Sequence, residues 1–277
     1  MENTSNNQAL IDLASGMNMQ ETPSAGEHGE RPYVVVPTGY KVADLEHLLP
    51  NPTRKQGNIV TTDADSFIKY VMDEKSWTGT KIYANLDSET AKLGLVAVLN
   101  DHGTTAAQWR DHRCTYDPKL SLEWKRWSEY NRREMNQLTF ASFIEDNIGD
   151  VVSVNDSPNG TQMLGMALAF ERTANKMVAS HVNLQSGGVR FEFVDDDTRQ
   201  TKSAMEAFSR FNIGVPVFYG SESAYPVEAR LKYREKDGKV IFWYELVRAD
   251  RVFQTAAREV IQRIKDETAV TVLFGTP

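Results

Sequence analysis

LSLEWKRWSEYNRREMNQLTFASFIEDNIGDVV, residues 120–152, is the longest stretch of the chain that reads as helix, with strand-patterned segments on either side. Asp117-Pro118 suits a helix start: an acidic cap, then a proline at the first helical position, where a missing N–H removes no bond. Ser121 is an equally good cap. Trp124, Trp127, Met135 and Leu138 fall on one apolar face, and Lys125, Arg126, Arg132, Arg133 and Glu134 on the other. Thr139 caps a second segment, with Phe140, Phe143, Ile144 and Ile148 behind it. The stretch predicts two consecutive helices, or one kinked helix, ending at Gly149. Tryptophans at helical spacing bury in a core or a subunit interface more often than they form stacking platforms. Trp124 and Trp127 therefore stand as candidate assembly residues.

Working outward, residues 33–36 read as a strand stopped by Pro37 and Gly39, and 59–60 as a brief strand. Asp63 or Asp65 caps a helix carrying Phe67, Ile68, Val71 and Met72. Residues 81–84 and 93–99 are strands, with 109–116 as their antiparallel continuation. Beyond the centre, Thr161 caps a helix, and 189–194 runs into an acidic turn at Asp195-Asp196-Asp197. Pro216 within the apolar run 213–219 predicts an edge or a bulge. The clearest element follows: 228–234 and 239–247 flank Asp237-Gly238, a type I′ hairpin signal. With those two residues as the turn, Leu231 faces Tyr244, Tyr233 faces Phe242 and Ala229 faces Leu246, all on one apolar face. The other face pairs Arg230 with Glu245, Lys232 with Trp243 and Arg234 with Ile241. Asp250 caps a final amphipathic helix, and 270–274 forms a last strand. The fold class is α+β, with two antiparallel-sheet regions flanking a central helical segment. The expected divisions are a flexible acidic arm (1–30), an α/β sheet region (31–118), the helical segment (119–180) and a C-terminal antiparallel sheet with its terminal helix (181–277).

At 277 residues the chain can bury a sizeable core. No run approaches a membrane span, the first residues lack the basic flank and apolar core of a secretory signal, and one cysteine, Cys114, fits a reducing cytoplasm. The net charge is −7. Glu2, Asp12, Glu21, Glu27 and Glu30, with no Lys or Arg among residues 1–30, place most of it in the arm, so the folded body has no global basic field for duplex DNA. Leu10, Ile11 and Leu13 in that arm could dock on a neighbouring subunit. Asp101-His102 with Asp111-His112 offers metal-binding side chains but no metal-ligand spacing. Were these residues on one hairpin, the two histidines would share a face only if paired positions summed to an even number. There is no P-loop, dinucleotide fingerprint or nucleophile elbow, and no cofactor is expected. The hairpin's polar face, with Arg230, Lys232, Arg234 and Trp243, combines cations that follow phosphates with an aromatic that stacks on bases.

The stretches DLEHLLPNPTRKQG, SFIKYV, AVLNDH, WRDHR, LEWKRW, QLTFASFIEDN, GVPVFYG and EARLKYREKDGKVIFWYEL, in that order, resemble the YfdQ-like proteins of phages and prophages over about residues 38–277. The resemblance implies a phage or prophage product made in the bacterial cytoplasm and carries over no catalytic residues. The expected function is a non-enzymatic protein that self-associates into a homo-oligomer, with a ring or closed shell among the arrangements open to it. The alternative is an accessory single-stranded nucleic-acid-binding factor in phage DNA replication or recombination, or an inhibitor of a host protein. A metal-dependent hydrolase or nuclease built on Asp101, His102, Asp111 and His112 is the weakest reading.

Overall fold

The computed structural model describes residues 46–76, 79–104, 106–173, 189–191, 205–236 and 239–277. Leu10, Ile11 and Leu13, the expected strand at 33–36, the acidic turn at Asp195-Asp196-Asp197 and the Asp237-Gly238 turn lie outside them. The chain divides into two units, Met1–Lys55 and Gln56–Pro277. In the first, a 3-10 turn at Glu46–Leu48 precedes a loop in which the Glu46 carboxylate accepts from the Thr53 amide at 2.7 Å.

Along the second unit run β1 (Gly57–Thr61), α1 (Ala64–Glu74), β2 (Lys81–Asp87), β3 (Lys92–Val98) and β4 (His112–Tyr116). The middle adds α2 (Leu122–Glu129), β5 (Met135–Asn136), α3 (Gln137–Asp146), β6 (Val151–Val152) and α4 (Gly160–Thr173). Then come β7 (Val189–Phe191), β8 (Met205–Ala207), β9 (Arg210–Val215), β10 (Tyr225–Lys236), β11 (Lys239–Leu246), α5 (Ala249–Thr268) and β12 (Val272–Phe274). Among the described residues no helix is long and apolar enough to cross a membrane.

The first sheet has the order β1-β4-β3-β2-β12 and is mixed, which corrects the expectation of two antiparallel sheets. β2, β3 and β4 form an antiparallel meander, whereas β1 runs parallel to β4 and β12 parallel to β2. The physical reason is the connection. A helix follows β1 and another precedes β12, and helical crossovers, unlike hairpins, can leave strands parallel. On one face, Ile82, Ala97 and Cys114 line up across the meander, as do Ala84, Leu95 and Tyr116. These residues are buried in one core with Phe67, Ile68 and Val71 of α1. That helix is capped as its sequence predicts, the Asp63 carboxylate accepting from the Ser66 amide at 2.7 Å. On the opposite face Val60, Thr115, Val96, Tyr83 and Leu273 form a row that crosses all five strands. Val60 is 65 % exposed and Leu273 40 %.

The second sheet, β5-β11-β10-β9-β6, is antiparallel throughout. Its hairpin has the expected register: Ala229 opposite Leu246, Leu231 opposite Tyr244 and Tyr233 opposite Phe242. A one-residue slip would have exposed this whole apolar set. β9 lies between β10 and β6 and stops at Val215, so Pro216 marks a strand end rather than an edge or bulge. The Pro216 carbonyl accepts from the Ser121 hydroxyl at 2.5 Å.

The central stretch departs most from its expected form. Ser121 does cap α2, accepting from the Trp124 amide at 2.9 Å. The apolar series then breaks, because Met135 and Asn136 form β5 against Phe242 and Ile241. Asn136, not Thr139, caps α3, accepting from the Thr139 amide at 2.8 Å, and Leu138 is 67 % exposed. α4 begins at Gly160 with a reciprocal cap: Asn159 and Gln162 each accept from the other's amide, both at 2.9 Å. At α5 the cap position is Arg248, in the left-handed region at φ 53°, and Asp250 pairs with Arg248 at 3.2 Å instead of capping.

Trp127 ties α2, α3 and the second sheet together. Its ring centroid lies 4.9 Å from that of Phe143, 5.2 Å from Tyr244 and 6.0 Å from Phe211. Its Nε1–H donates to Asp150 at 2.8 Å, and its carbonyl accepts from the Tyr244 hydroxyl at 2.7 Å. Trp127→Ala should cost ~3–5 kcal/mol by leaving this volume empty, read as a lower midpoint in urea unfolding. Burial raises the Asp150 carboxyl above its usual range, against the lowering effect of the Trp127 bond. A raised carboxyl favours folding below the unfolded value of ~3.9, and that contribution is lost as pH rises through the folded value. Asp150→Asn keeps an acceptor for Trp127 and removes the half-buried charge. It should match or exceed the native chain in stability at pH 7, with the difference closing near pH 4 in paired denaturation curves.

Candidate nucleic-acid interface

The helices and apolar side chains cover one face of the second sheet, and alternation along its strands sends the polar set to the other. Along β10 that outer face carries Glu228, Arg230, Lys232, Arg234 and Lys236. β11 contributes Lys239, Ile241, Trp243 and Glu245, and β9 adds Arg210 and Asn212. Arg210, Arg230, Lys232, Arg234, Lys236 and Lys239 thus face only two carboxylates on the sheet itself, Glu228 and Glu245. A chain with no global basic field acquires a local one because the pleat sorts its side chains.

Ion pairs temper this face. Arg210 meets Glu228 at 3.0 Å, Lys232 meets Glu245 at 3.7 Å, and Arg234 meets Glu134, which precedes β5. Arg230 lies opposite Glu245 in the expected register, without an ion pair between them. Glu245 reaches diagonally to Lys232, a distance that long side chains span, and Arg230 is exposed without an ion pair among the described residues. The Arg234 guanidinium carbon lies 5.9 Å from the Trp243 ring centroid. The structure therefore brings Arg230, Lys232, Arg234 and Trp243 together as their spacing predicts. Sequence reasoning missed Arg210, although Phe211, Ile213 and Val215 alternate beside it. It also missed Glu134, which only tertiary pairing of β5 brings near.

The other candidates go elsewhere. Trp124 and Trp127 are 5 % and 0 % exposed and fill the core, one of the two places of burial that their spacing predicts. Asp101, His102, Asp111 and His112 do not converge either, and among the described residues no three His, Cys, Asp or Glu side chains form a metal-holding group. Val98 pairs with Arg113, an odd sum, which puts residues with the parity of His102 and His112 on opposite faces. His112 is buried and shares a hydrogen bond with the Tyr70 hydroxyl at 3.0 Å. His102 Nδ1 accepts from the Gln108 amide, and Asp111 accepts from the Asn100 side chain. Cys114 is buried, and burial pushes its thiol up to about 11, against the needs of a nucleophile.

Asp101 is the centre of a structural network. At 1 % exposure, it accepts from the Tyr83 hydroxyl at 2.5 Å and the His102 amide at 2.7 Å, and lies 2.9 Å from Arg110 Nε and 3.7 Å from Lys81 Nζ. Arg110 sits at φ 58°, a conformation held by the loop around it. Burial would raise the Asp101 carboxyl, but the hydrogen bonds and the two cations outweigh it and hold it below the ordinary value. Its contribution to stability is therefore present above the unfolded value of ~3.9 and is lost as pH falls through the folded one. Asp101→Asn should lose ~1–3 kcal/mol at pH 7 and flatten the acid limb of a stability–pH curve.

Comparison with known families places the chain. It belongs to the DUF2303 family of uncharacterised conserved proteins. The family model matches residues 5–277, which span every element described above. No curated protein and no solved structure matched the chain. Membership in DUF2303 brings no assigned site, so the function rests on the chemistry of these faces.

Proposed function

We propose that this DUF2303 protein binds single-stranded nucleic acid along β10, on the outer face of its second sheet, as an accessory factor in phage or prophage DNA replication or recombination. One observation carries the binding reading: among the described residues, six cations and an indole share a sheet face with Glu228 and Glu245, with Glu134 beside it. Arg230, Lys232, Arg234 and Lys236 recur every second residue, ~6.8 Å apart, close to the step between phosphates of an extended strand. Trp243, beside Lys232 in register, offers a face to a base, and such stacking contributes ~1–3 kcal/mol per base without sequence preference. The phage context rests on the resemblance to YfdQ-like proteins.

Replacing Arg230, Lys232 and Arg234 together with Gln should abolish binding of a fluorescent oligothymidylate in an anisotropy titration at low salt, with thermal melting unchanged. Retained affinity in that variant would refute the assignment of this face.

Self-association is a second reading, favoured by the apolar row on the first sheet rather than by Trp124 and Trp127. Its ends at Val60 and Leu273 lie on edge strands, which are common sites of pairing between copies. Light scattering after size exclusion, with the 260/280 nm ratio across the peak, separates a nucleic-acid-free oligomer from a smaller species carrying nucleic acid.

A further inference from the structure

Resting on that nucleic-acid reading, we infer that Glu134 is a built-in competitor of the interface: it holds Arg234 over Trp243, and an incoming strand must break this pair to reach the indole. Glu134 immediately precedes β5, and β5 pairs with β11 through Asn136 opposite Ile241, the residue that also faces Arg234. This register brings a carboxylate from the helical middle of the chain to the cation strand, 100 residues away in sequence. The guanidinium it holds lies 5.9 Å from the indole centroid, in the space a stacked base needs.

The pair is at the surface, with Arg234 50 % and Glu134 46 % exposed. Exchange of the carboxylate for a phosphate therefore needs no unfolding and changes affinity only modestly. Glu228 and Glu245 also pair with cations of this face, but Arg234, the cation positioned over Trp243, is held by Glu134. Glu134 thus sets both the strength of binding and the access of a base to Trp243. Once it releases Arg234, the guanidinium can follow a phosphate and the indole is open to stacking.

The test uses the full chain, a fluorescent oligothymidylate of about 20 nucleotides and a salt series, comparing the native protein with Glu134→Gln and Glu228→Gln. Gln is isosteric at this exposed position, and a melting curve checks that the fold is intact. Glu134→Gln should tighten binding by about two- to fivefold, the scale of a surface ion pair. The slope of log affinity against log salt should steepen by about 0.7, as expected for one more phosphate contact freed of competition. Quenching of tryptophan fluorescence at saturation should change with Glu134→Gln and stay as in the native chain with Glu228→Gln. Unchanged or weaker binding by Glu134→Gln, while the native chain binds, would overturn the inference and make Glu134 a positioning residue for Arg234. Equal tightening and equal quenching by the two variants would also overturn it, leaving general electrostatics as the cause. Absence of binding by native protein and both variants would refute the nucleic-acid reading itself, and the competitor role with it.

Discussion

A single helix carries the apolar surface on which both sheets depend. α5 spans 20 residues, about 30 Å, and buries Phe253, Ala256, Ala257, Ile261 and Ile264 along one stripe. That stripe meets α1 and β2 of the first sheet and β10 of the second. Phe253 packs edge-on to Phe218, just beyond β9. The same helix then delivers β12 to the edge of the first sheet, parallel to β2. The sheets consequently share one continuous hydrophobic core. Loss of the stripe would remove the side chains that join the two.

Covering each sheet from one side has an electrostatic consequence. Apolar alternation sends Phe211, Ala229, Leu231, Phe242 and Tyr244 inward, and the residues between them must then face outward together. On the second sheet those residues include Arg210, Arg230, Lys232, Arg234, Lys236 and Lys239. On the first sheet the outward row is largely apolar; of the cations near its ends, Lys81 and Arg110 are committed to Asp101 and Lys92 lies opposite Asp87. Two sheets of the same strand number thus present chemically distinct faces.

The residues that look most chemical in the sequence are the ones most fully used in construction. Asp101 secures the loop between β3 and β4 through Tyr83, Arg110 and Lys81. Asp63 caps a helix, His112 meets Tyr70, and Cys114 fills space between strands. Each has an internal partner or is enclosed by the core, whereas among the described residues the ion pairs of the β10 cations are at the surface. Accessibility, more than residue type, separates a site candidate from a structural one.

How much was legible in advance follows from the range of the forces involved. Local signals carried far: Asp63 and Ser121 as caps, the hairpin register about Asp237-Gly238, and the outer-face grouping of Arg230, Lys232, Arg234 and Trp243 all follow from spacings within a few residues. These features depend on backbone periodicity, which the order of side chains determines by itself. Long-range pairing decided the rest. Met135 looked helical by period but became a strand because β11 offered it an unpaired edge, and Asn136 took the cap in consequence. Trp127 suited core or interface by its spacing, and the second sheet, through Phe211 and Tyr244, made it core. The mixed first sheet and the Glu134–Arg234 pair join segments far apart in the chain. Sequence therefore determined the elements and their apolar faces. Tertiary structure decided which faces met, because the free energy of burying them is realised only between elements that no local pattern brings together.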